Sequence, residues 1–158
     1  AQLEAARTAR PVAPPETRAD VAPFGDRQGD LPWPVSGTVV REFGRSVHPR
    51  FGTVTMHNGL SVRGLVGAPV YAVAPGTVQF ADHLPGYGQC VIVDHGSGFY
   101  TLYANLARIF PARGSRVNGG QIVAELGDGG TEDRPELYFE IREGRDAKDP
   151  RTWLRPPR

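Results

Sequence analysis

The residues best suited to chemistry lie in one short segment near the C-terminus, RPELYFEIREG (134–144). A strand has a period of two, so alternate residues share a face. One face would carry two carboxylates, a phenol and a guanidinium, which are Glu136, Tyr138, Glu140 and Arg142. The other face would carry Leu137, Phe139 and Ile141. The pattern predicts a strand with one side in a core and a polar side facing a cleft.

Metal binding or nucleophilic catalysis would need further residues in a recognisable motif. The sequence contains no such motif. The histidines are His48, His57, His83 and His95, and none forms a close ligand pair such as HxH or HExxH. His95 opens the turn VDHGSG, where we prefer a structural hydrogen bond to a catalytic role. Neither a GxSxG nucleophile motif nor a phosphate-cradling loop is present. Spacing alone therefore predicts no catalytic constellation.

Composition narrows the classes of partner. The 158 residues carry a net charge of +1, which argues against nucleic acid or an anionic membrane as the main partner. Cys90 is the single cysteine, so no internal disulfide can form. It lies in the apolar run GQCVIVDHG, which predicts a buried, inert thiol.

The elements that must position these residues are short strands. The 20 glycines and 15 prolines punctuate the chain, and no long segment has a helical period. We predict strands in GTVVREFG, LSVRG and APVYAVAPGTVQFADH, a hairpin over GQCVIVDHGSGFYTLYANL, and strands in RVNGGQIVAELGDGG and ELYFEIREGRDAKDP. RSVHPRFGTVTMHNG (45–59) is predicted to be a loop, and GDGG a turn. The fold class is all-β.

The N-terminal 30 residues differ from the rest. They are rich in Ala, Pro, Arg and Glu, and they contain too little apolar surface to offset the entropy of ordering. We predict a largely disordered linker over residues 1–30, with residues 1–10 as the end of a helix. The globular β domain is predicted over 31–158.

From LPWPVSG to DPRTWL, the chain resembles the LytM/lysostaphin-type zinc peptidase domain. The segments that carry the resemblance are HNGLSV, GAPVYAVAPGTVQFAD, GYGQCVIVDHGSGFYTLYANL and ELYFEIR, in matching order and spacing. The resemblance implies a compact antiparallel β-sheet domain of the duplicated-hybrid-motif type, with a groove. In active members these segments supply an H-x-G-[IL]-D motif, a Y-A-H-L motif and an H-L-H-F-E motif.

At most of the positions that matter for catalysis, this sequence departs from that pattern. His57 matches the first zinc ligand, but Ser61 and Tyr138 replace the other two ligands. Asn105 and Glu136 replace the two catalytic histidines. A hydroxyl and a phenol are poor zinc ligands at neutral pH. The resemblance therefore implies a pseudo-peptidase that needs no cofactor.

LPWPV, DRPELYFEIR and the terminal DP..WL further resemble the murein hydrolase activators of the EnvC type. Such proteins bind zinc-dependent cell-wall N-acetylmuramoyl-L-alanine amidases and activate them during septum splitting. The resemblance implies a periplasmic location, and an upstream coiled coil that couples the domain to the FtsEX division complex. Residues 1–10 would be the end of that coiled coil.

On this hypothesis the former catalytic groove binds the amidase. We expect it to be formed by these residues: His57, Asn58, Leu60, Ser61, Tyr87, Asn105, Glu136, Tyr138 and Arg142. Three alternatives concern single residues: Tyr87 as a plain turn residue, Glu136 as an exposed acid, and Arg142 in a solvated ion pair with Glu140 or Glu143. Two concern the whole domain, which would be a peptidoglycan-binding module without an enzyme partner, or an atypical zinc metallopeptidase.

Overall fold

The computed structural model describes residues 23–127 and 135–156, and nearly all the regular secondary structure in this part of the chain is β-strand. The strands are β1 (Thr38–Arg41), β2 (Gly44–Val47), β3 (Val54–His57), β4 (Leu60–Arg63), β5 (Pro69–Tyr71), β6 (Gly76–Leu84), β7 (Gly88–Gly96), β8 (Phe99–Ile109), β9 (Arg116–Val117), β10 (Ile122–Leu126), β11 (Glu136–Glu143) and β12 (Asp146–Lys148). A 3-10 helix (Phe24–Arg27) and the helix α1 (Pro150–Trp153) flank them. The all-β prediction is confirmed. No helix in the described ranges is long and apolar enough to cross a membrane.

The main sheet is antiparallel and has the order β1-β4-β11-β8-β7-β6-β9. β10 pairs with β5 and β8, and β12 extends β11. β2 and β3 form a separate two-stranded sheet. β11 therefore lies between β4 and β8, which pair with its two edges.

The core lies on the apolar face of β11. Leu137, Phe139 and Ile141 have no exposed surface, as the period-two pattern predicts. In register with Phe139 are Leu60 on β4 and Tyr103 on β8, both fully buried. Because adjacent antiparallel residues point to the same face, one row of large apolar side chains crosses three strands.

The packed domain begins before residue 31. Phe24 is buried and its ring stacks on His95 at 4.6 Å and on Trp153 at 5.2 Å. Leu31 forms a parallel bridge with Leu154 and is also fully buried. Residues 23–30, predicted as linker, therefore pack against the C-terminal end of the domain, because Phe24 supplies the apolar area that their composition otherwise lacks. The prediction for residues 1–22 and the turn at residues 128–130 fall outside the described residues.

The segment 45–59 is not a loop. Residues 44–47 and 54–57 pair antiparallel as a hairpin, with Val47 opposite Val54 and Arg45 opposite Met56. Gly52 has a φ of 68°, which permits the reversal of the chain. The proline and glycine turn signals misled the prediction, because they mark only the tip between two short β-prone runs.

His95 has the structural role that was expected. Its Nδ1 donates to the carbonyl of Pro75 at 2.7 Å, and its Nε2 lies 2.7 Å from Oγ1 of Thr101. The Thr101 hydroxyl lies 3.0 Å from that of Tyr103, which accepts from the Val73 amide. Burial lowers the pKa of His95 to about 4, outweighing the bond to Pro75 that favours protonation.

Core truncation on β11 should be costly. We expect Phe139→Ala to lower the free energy of unfolding by about 3–5 kcal/mol, because it leaves a cavity beside Tyr103. The matched control is Phe51→Ala, since that ring is 71% exposed and should cost less than about 1 kcal/mol. Urea denaturation of both variants measures this, and equal losses would show that Phe139 is not in a tightly packed core.

His95 should make stability depend on pH. The unfolded chain takes up a proton near the ordinary pKa of 6.5, whereas the folded chain does so only near 4. The stabilisation is therefore complete above pH 6.5 and is lost as the pH falls towards 4, by about 3 kcal/mol. Urea denaturation across this range should show a steeper fall for the native chain than for His95→Gln. Identical pH profiles would refute this.

Candidate functional site

The polar face of β11 forms the floor of a groove. The register aligns Tyr138 with Ser61 on β4 and with Ala104 on β8, while Ser61 also pairs with Arg41 on β1. The next row aligns Glu140 with Leu102 on β8, and Leu102 with Ile92 on β7. The row that contains Tyr138 is mostly polar. In the row that contains Glu140, the other residues are apolar. The groove therefore has two compartments of different chemistry.

The first compartment, called here the polar pocket, has a volume of about 410 Å³. Its lining consists of Arg41, Ser61, Gly86, Tyr87, Ala104, Asn105, Glu136 and Tyr138. Five predicted site residues thus come together here: Ser61, Tyr87, Asn105, Glu136 and Tyr138. Arg41, Gly86 and Ala104 were not predicted. Arg41 enters because a bulge in β1 places it opposite Ser61, which no local pattern reveals.

The second compartment, called here the apolar trough, has a volume of about 320 Å³. Its lining consists of Gln79, Leu84, Tyr87, Ile92, Tyr100, Thr101, Leu102, Glu140, Arg142 and Gly144. Arg142 therefore belongs to the groove, in the compartment next to the polar pocket. Tyr87 lines both compartments, and its ring lies 5.8 Å from that of Tyr138. The two rings form the divide between the compartments.

The strongest polar contacts in the groove converge on Glu140. Its side chain has no exposed surface, and its carboxylate accepts from the Tyr138 hydroxyl at 2.5 Å and from Nε of Arg142 at 2.6 Å. A buried carboxylate without such partners would be very costly. The Arg142–Glu140 pair is therefore not the weak solvated ion pair that was considered, because one of its members is cut off from water.

The bond to Glu140 also fixes the protonation state of Tyr138. Burial raises the pKa of the Tyr138 phenol, and the hydrogen bond to Glu140 and the charge of that carboxylate raise it further. Tyr138 is thus held as a neutral hydrogen-bond donor. Arg142 donates a second hydrogen bond, from Nη1 to the carbonyl of Arg145 at 3.2 Å. Two hydrogen bonds therefore hold its guanidinium group.

Glu136 is paired. It accepts from Nη2 of Arg63 at 3.0 Å, and Arg63 lies directly opposite it on β4. The side chain of Glu136 is only a quarter exposed, so the interpretation as a plain exposed acid is wrong. The ion pair fixes the carboxylate at the edge of the polar pocket.

Asn105 adopts a strained backbone conformation at the edge of the pocket. Its φ of 62° lies in the left-handed region, which asparagine tolerates better than most residues. The backbone amide of Asn105 donates to the backbone carbonyl of Tyr87 at 3.0 Å. Asn105 therefore ties β8 to the turn that carries Tyr87.

Three predicted site residues lie elsewhere. Leu60 has no exposed surface and belongs to the core, so its assignment to the groove is wrong. The period-two rule, applied from Ser61, could have placed it there. His57 and Asn58 lie at the end of β3 and in the turn that follows, and neither lines the two compartments. They precede Gly59 in the chain. A Cβ atom added at Gly59 would lie 2.9 Å from side-chain atoms of both Tyr138 and Glu140.

The residues at the expected zinc-ligand positions do not fit a zinc ion. Ser61 offers a neutral hydroxyl, and Tyr138 is a protonated phenol that donates a hydrogen bond to Glu140. Zinc ligands must offer a lone pair on a deprotonated or neutral basic group, which neither provides. Within residues 23–127 and 135–156, no group of three His, Cys, Asp or Glu side chains is placed to hold a metal. We therefore derive no metal-dependent step.

Cys90 is a buried thiol, as predicted. It packs with Leu102 and Ala104, which line the two compartments, and has no exposed surface. Burial raises its pKa to about 11, and the nearby charges of Asp82 and Glu140 act in the same direction. The thiol is therefore protonated at neutral pH and inert.

Residues 55–150 match the model of peptidase family M23, so the chain belongs to this family. The Escherichia coli (strain K12) protein named murein hydrolase activator EnvC is 34% identical over 157 residues, which cover 97% of this chain and 36% of that protein. The Pseudomonas aeruginosa lipoprotein NlpD/LppB homolog is 34% identical over 141 residues, which cover 89% of this chain and 45% of that protein. The chain thus spans less than half the length of these curated relatives.

Solved structures support the same fold. The crystal structure of a zinc-containing peptidase from Vibrio cholerae superposes with a TM-score of 0.69 at 28% identity. The match covers 82% of this chain and 41% of that chain. The resemblance to the LytM/lysostaphin-type fold and to EnvC-type activators is confirmed.

Replacing the buried carboxylate should both destabilise the fold and release Tyr138. We expect Glu140→Gln to cost about 1–3 kcal/mol of unfolding free energy, because charge-assisted bonds to Tyr138 and Arg142 are lost. It should also lower the pKa of Tyr138, since the negative charge that opposes ionisation disappears. Urea denaturation and ultraviolet titration of the phenols measure the two effects.

Glu143→Gln is the matched control, because Glu143 is half exposed and its ion pair with Lys148 spans 3.7 Å. It should change stability by less than about 0.5 kcal/mol. Tyr138→Phe identifies the Tyr138 signal in the titration. An unchanged Tyr138 titration in Glu140→Gln would contradict the proposed coupling.

Proposed function

We propose that this domain is a catalytically inactive M23 domain that binds and activates a zinc-dependent cell-wall N-acetylmuramoyl-L-alanine amidase during septum splitting. The observation that supports the proposal is a groove lined by Ser61 and Tyr138, which stand where the family resemblance implies zinc ligands. The 34% identity to a protein named murein hydrolase activator supports this partner class. The zinc and the hydrolysis belong to the amidase.

The groove is suited to protein contact. Tyr87 and Tyr138 offer rigid amphipathic surface, and Arg142 offers a planar set of donors; tyrosine and arginine are enriched at binding hot spots. Glu140 holds both Tyr138 and Arg142 before any partner arrives. Less side-chain entropy is lost when pre-positioned groups bind, so this arrangement favours affinity.

Activation would occur by a population shift. An amidase that is held mostly closed by its own inhibitory segment opens if the activator binds the open state more tightly. A difference in affinity of about 3 kcal/mol between the two states gives roughly a hundredfold shift. The groove needs no bond-breaking group for this function.

The proposal also includes a cellular location and a second partner complex. The domain would act in the periplasm, and an upstream coiled coil would couple it to an FtsEX-type division complex. The packed segment from Phe24 to Leu31 would connect the upstream region to the domain.

The test is dye release from labelled sacculi by the chain, by a purified amidase of the source organism, and by both together. We expect release above the amidase's basal rate only with both. Tyr138→Ala and Arg142→Ala should each reduce this stimulation at least about tenfold, because each removes a central contact. Arg113→Ala, which alters an exposed arginine in the turn after β8, is the control and should have no effect.

Circular dichroism and thermal unfolding of each variant separate lost contact from lost fold. Full stimulation by both folded variants would refute the assignment of the groove. Release by the chain alone would instead indicate a hydrolase. Binding to sacculi without any stimulation of amidases would favour a peptidoglycan-binding module.

A further inference from the structure

The hairpin β2–β3 has one apolar face that the domain does not cover. Because Val47 lies opposite Val54 and Arg45 opposite Met56, these four side chains share a face. Val47, Val54 and Met56 are about half or more exposed, with Met56 at 62%. Of seven large apolar side chains exposed in the described residues, four are Val47, Phe51, Val54 and Met56 of this hairpin. Contiguous exposed apolar surface of this kind marks interaction sites.

The tip of the hairpin is ordered by its own contacts. Nδ1 of His48 accepts from the amides of Arg50 and Phe51, at 3.1 and 3.2 Å. The His48 and Phe51 rings stack at 4.9 Å. A two-stranded hairpin is only marginally stable in water, so these contacts matter for its shape. The apolar face is thus displayed in a defined conformation.

The charged side chains of the hairpin are all positive. Residues 43–57 contain Arg45 and Arg50 but no aspartate or glutamate. The Arg50 guanidinium lies 5.6 Å from the centre of the Phe51 ring. The preceding acid, Glu42, is paired with Arg151 at 3.1 Å, so it does not neutralise the hairpin. Met, Phe and Arg are enriched in the centres of protein interfaces.

The hairpin is continuous with the groove at both of its ends. Before it, Arg41 lines the polar pocket. After it, Gly59 lies against Tyr138 and Glu140. At the base of the hairpin, Gly44 pairs with His57, so the two ends of the hairpin lie side by side. A protein seated in the groove would therefore meet the hairpin at the rim.

We propose that the apolar, basic face of the hairpin is a second contact surface, and that it binds an acidic segment with apolar side chains on the amidase that occupies the groove. This inference rests on the proposed function. Val47, Val54 and Met56 would bury against the apolar side chains of that segment, and Arg45 and Arg50 would pair with its carboxylates. The groove would provide the common anchor, and the hairpin would favour partners that carry such a segment.

The experiment measures the Kd of the intact chain for each purified amidase of the source organism. Val47→Thr/Val54→Thr/Met56→Gln keeps strand-compatible shapes while making the face polar. Leu65→Gln/Val66→Thr, in the β4–β5 loop, is the matched control, because Leu65 is 80% exposed. We expect the hairpin variant to raise Kd about tenfold or more, and the loop variant to leave it unchanged.

A second variant, Arg45→Glu/Arg50→Glu, tests the charges. It should slow association and remove most of the salt dependence of the association rate, whereas Arg113→Glu should not. Circular dichroism confirms that each variant is folded. Retention of full affinity and of the normal salt dependence by both folded hairpin variants would overturn the proposal.

Other results separate this inference from the proposed function. If Tyr138→Ala weakens amidase binding and the hairpin variants do not, the hairpin proposal fails and the groove proposal stands. If the native chain binds no amidase, both fail. Two results with unchanged amidase affinity would overturn the proposal. If the hairpin variants lose binding to phosphatidylglycerol vesicles, the hairpin contacts a membrane instead. If they lose self-association in sedimentation, it contacts a second copy of the chain.

Discussion

The buried carboxylate of Glu140 is the constraint on which the groove depends. Its side chain has no exposed surface on strand β11, and Tyr138 and Arg142 donate hydrogen bonds that offset the cost of burying it. This requirement fixes the direction of both donors. It also holds Tyr138 as a neutral phenol. The shape of the groove floor and its chemistry therefore have one physical origin.

The same constraint explains why the groove is better suited to contact than to metal chemistry. A metal-binding tyrosine would have to lose its proton, and Glu140 opposes that loss. Glu136, which also lines the polar pocket, is already paired with Arg63. The Tyr87–Tyr138 divide then separates a polar compartment from an apolar one. A partner with both kinds of side chain fits such a surface better than a uniformly polar or apolar one.

The edges of the domain add to this central floor. The segment around Phe24 packs on His95 and Trp153, at the end of the domain that includes α1. The β2–β3 hairpin instead projects apolar side chains away from the core. The two differ because Phe24 finds aromatic partners from distant parts of the chain, whereas the hairpin pairs only with itself. One edge is thus structural, and the other is available for contact.

The sequence by itself determined most strands of the sheet, the core face of β11, and the presence of Ser61 and Tyr138 at the positions where the family resemblance implies zinc ligands. These depend on local alternation and on residue type, which are visible without knowing any neighbour. Only the tertiary structure decided that Glu140 is buried and that Arg41 lies at the pocket. It also decided that Phe24 packs on the domain, that residues 44–57 form a hairpin, and that His57 lies at the end of β3, outside both compartments. Each of these depends on register or on packing between segments far apart in the chain, because burial is a property of the neighbours that surround a side chain.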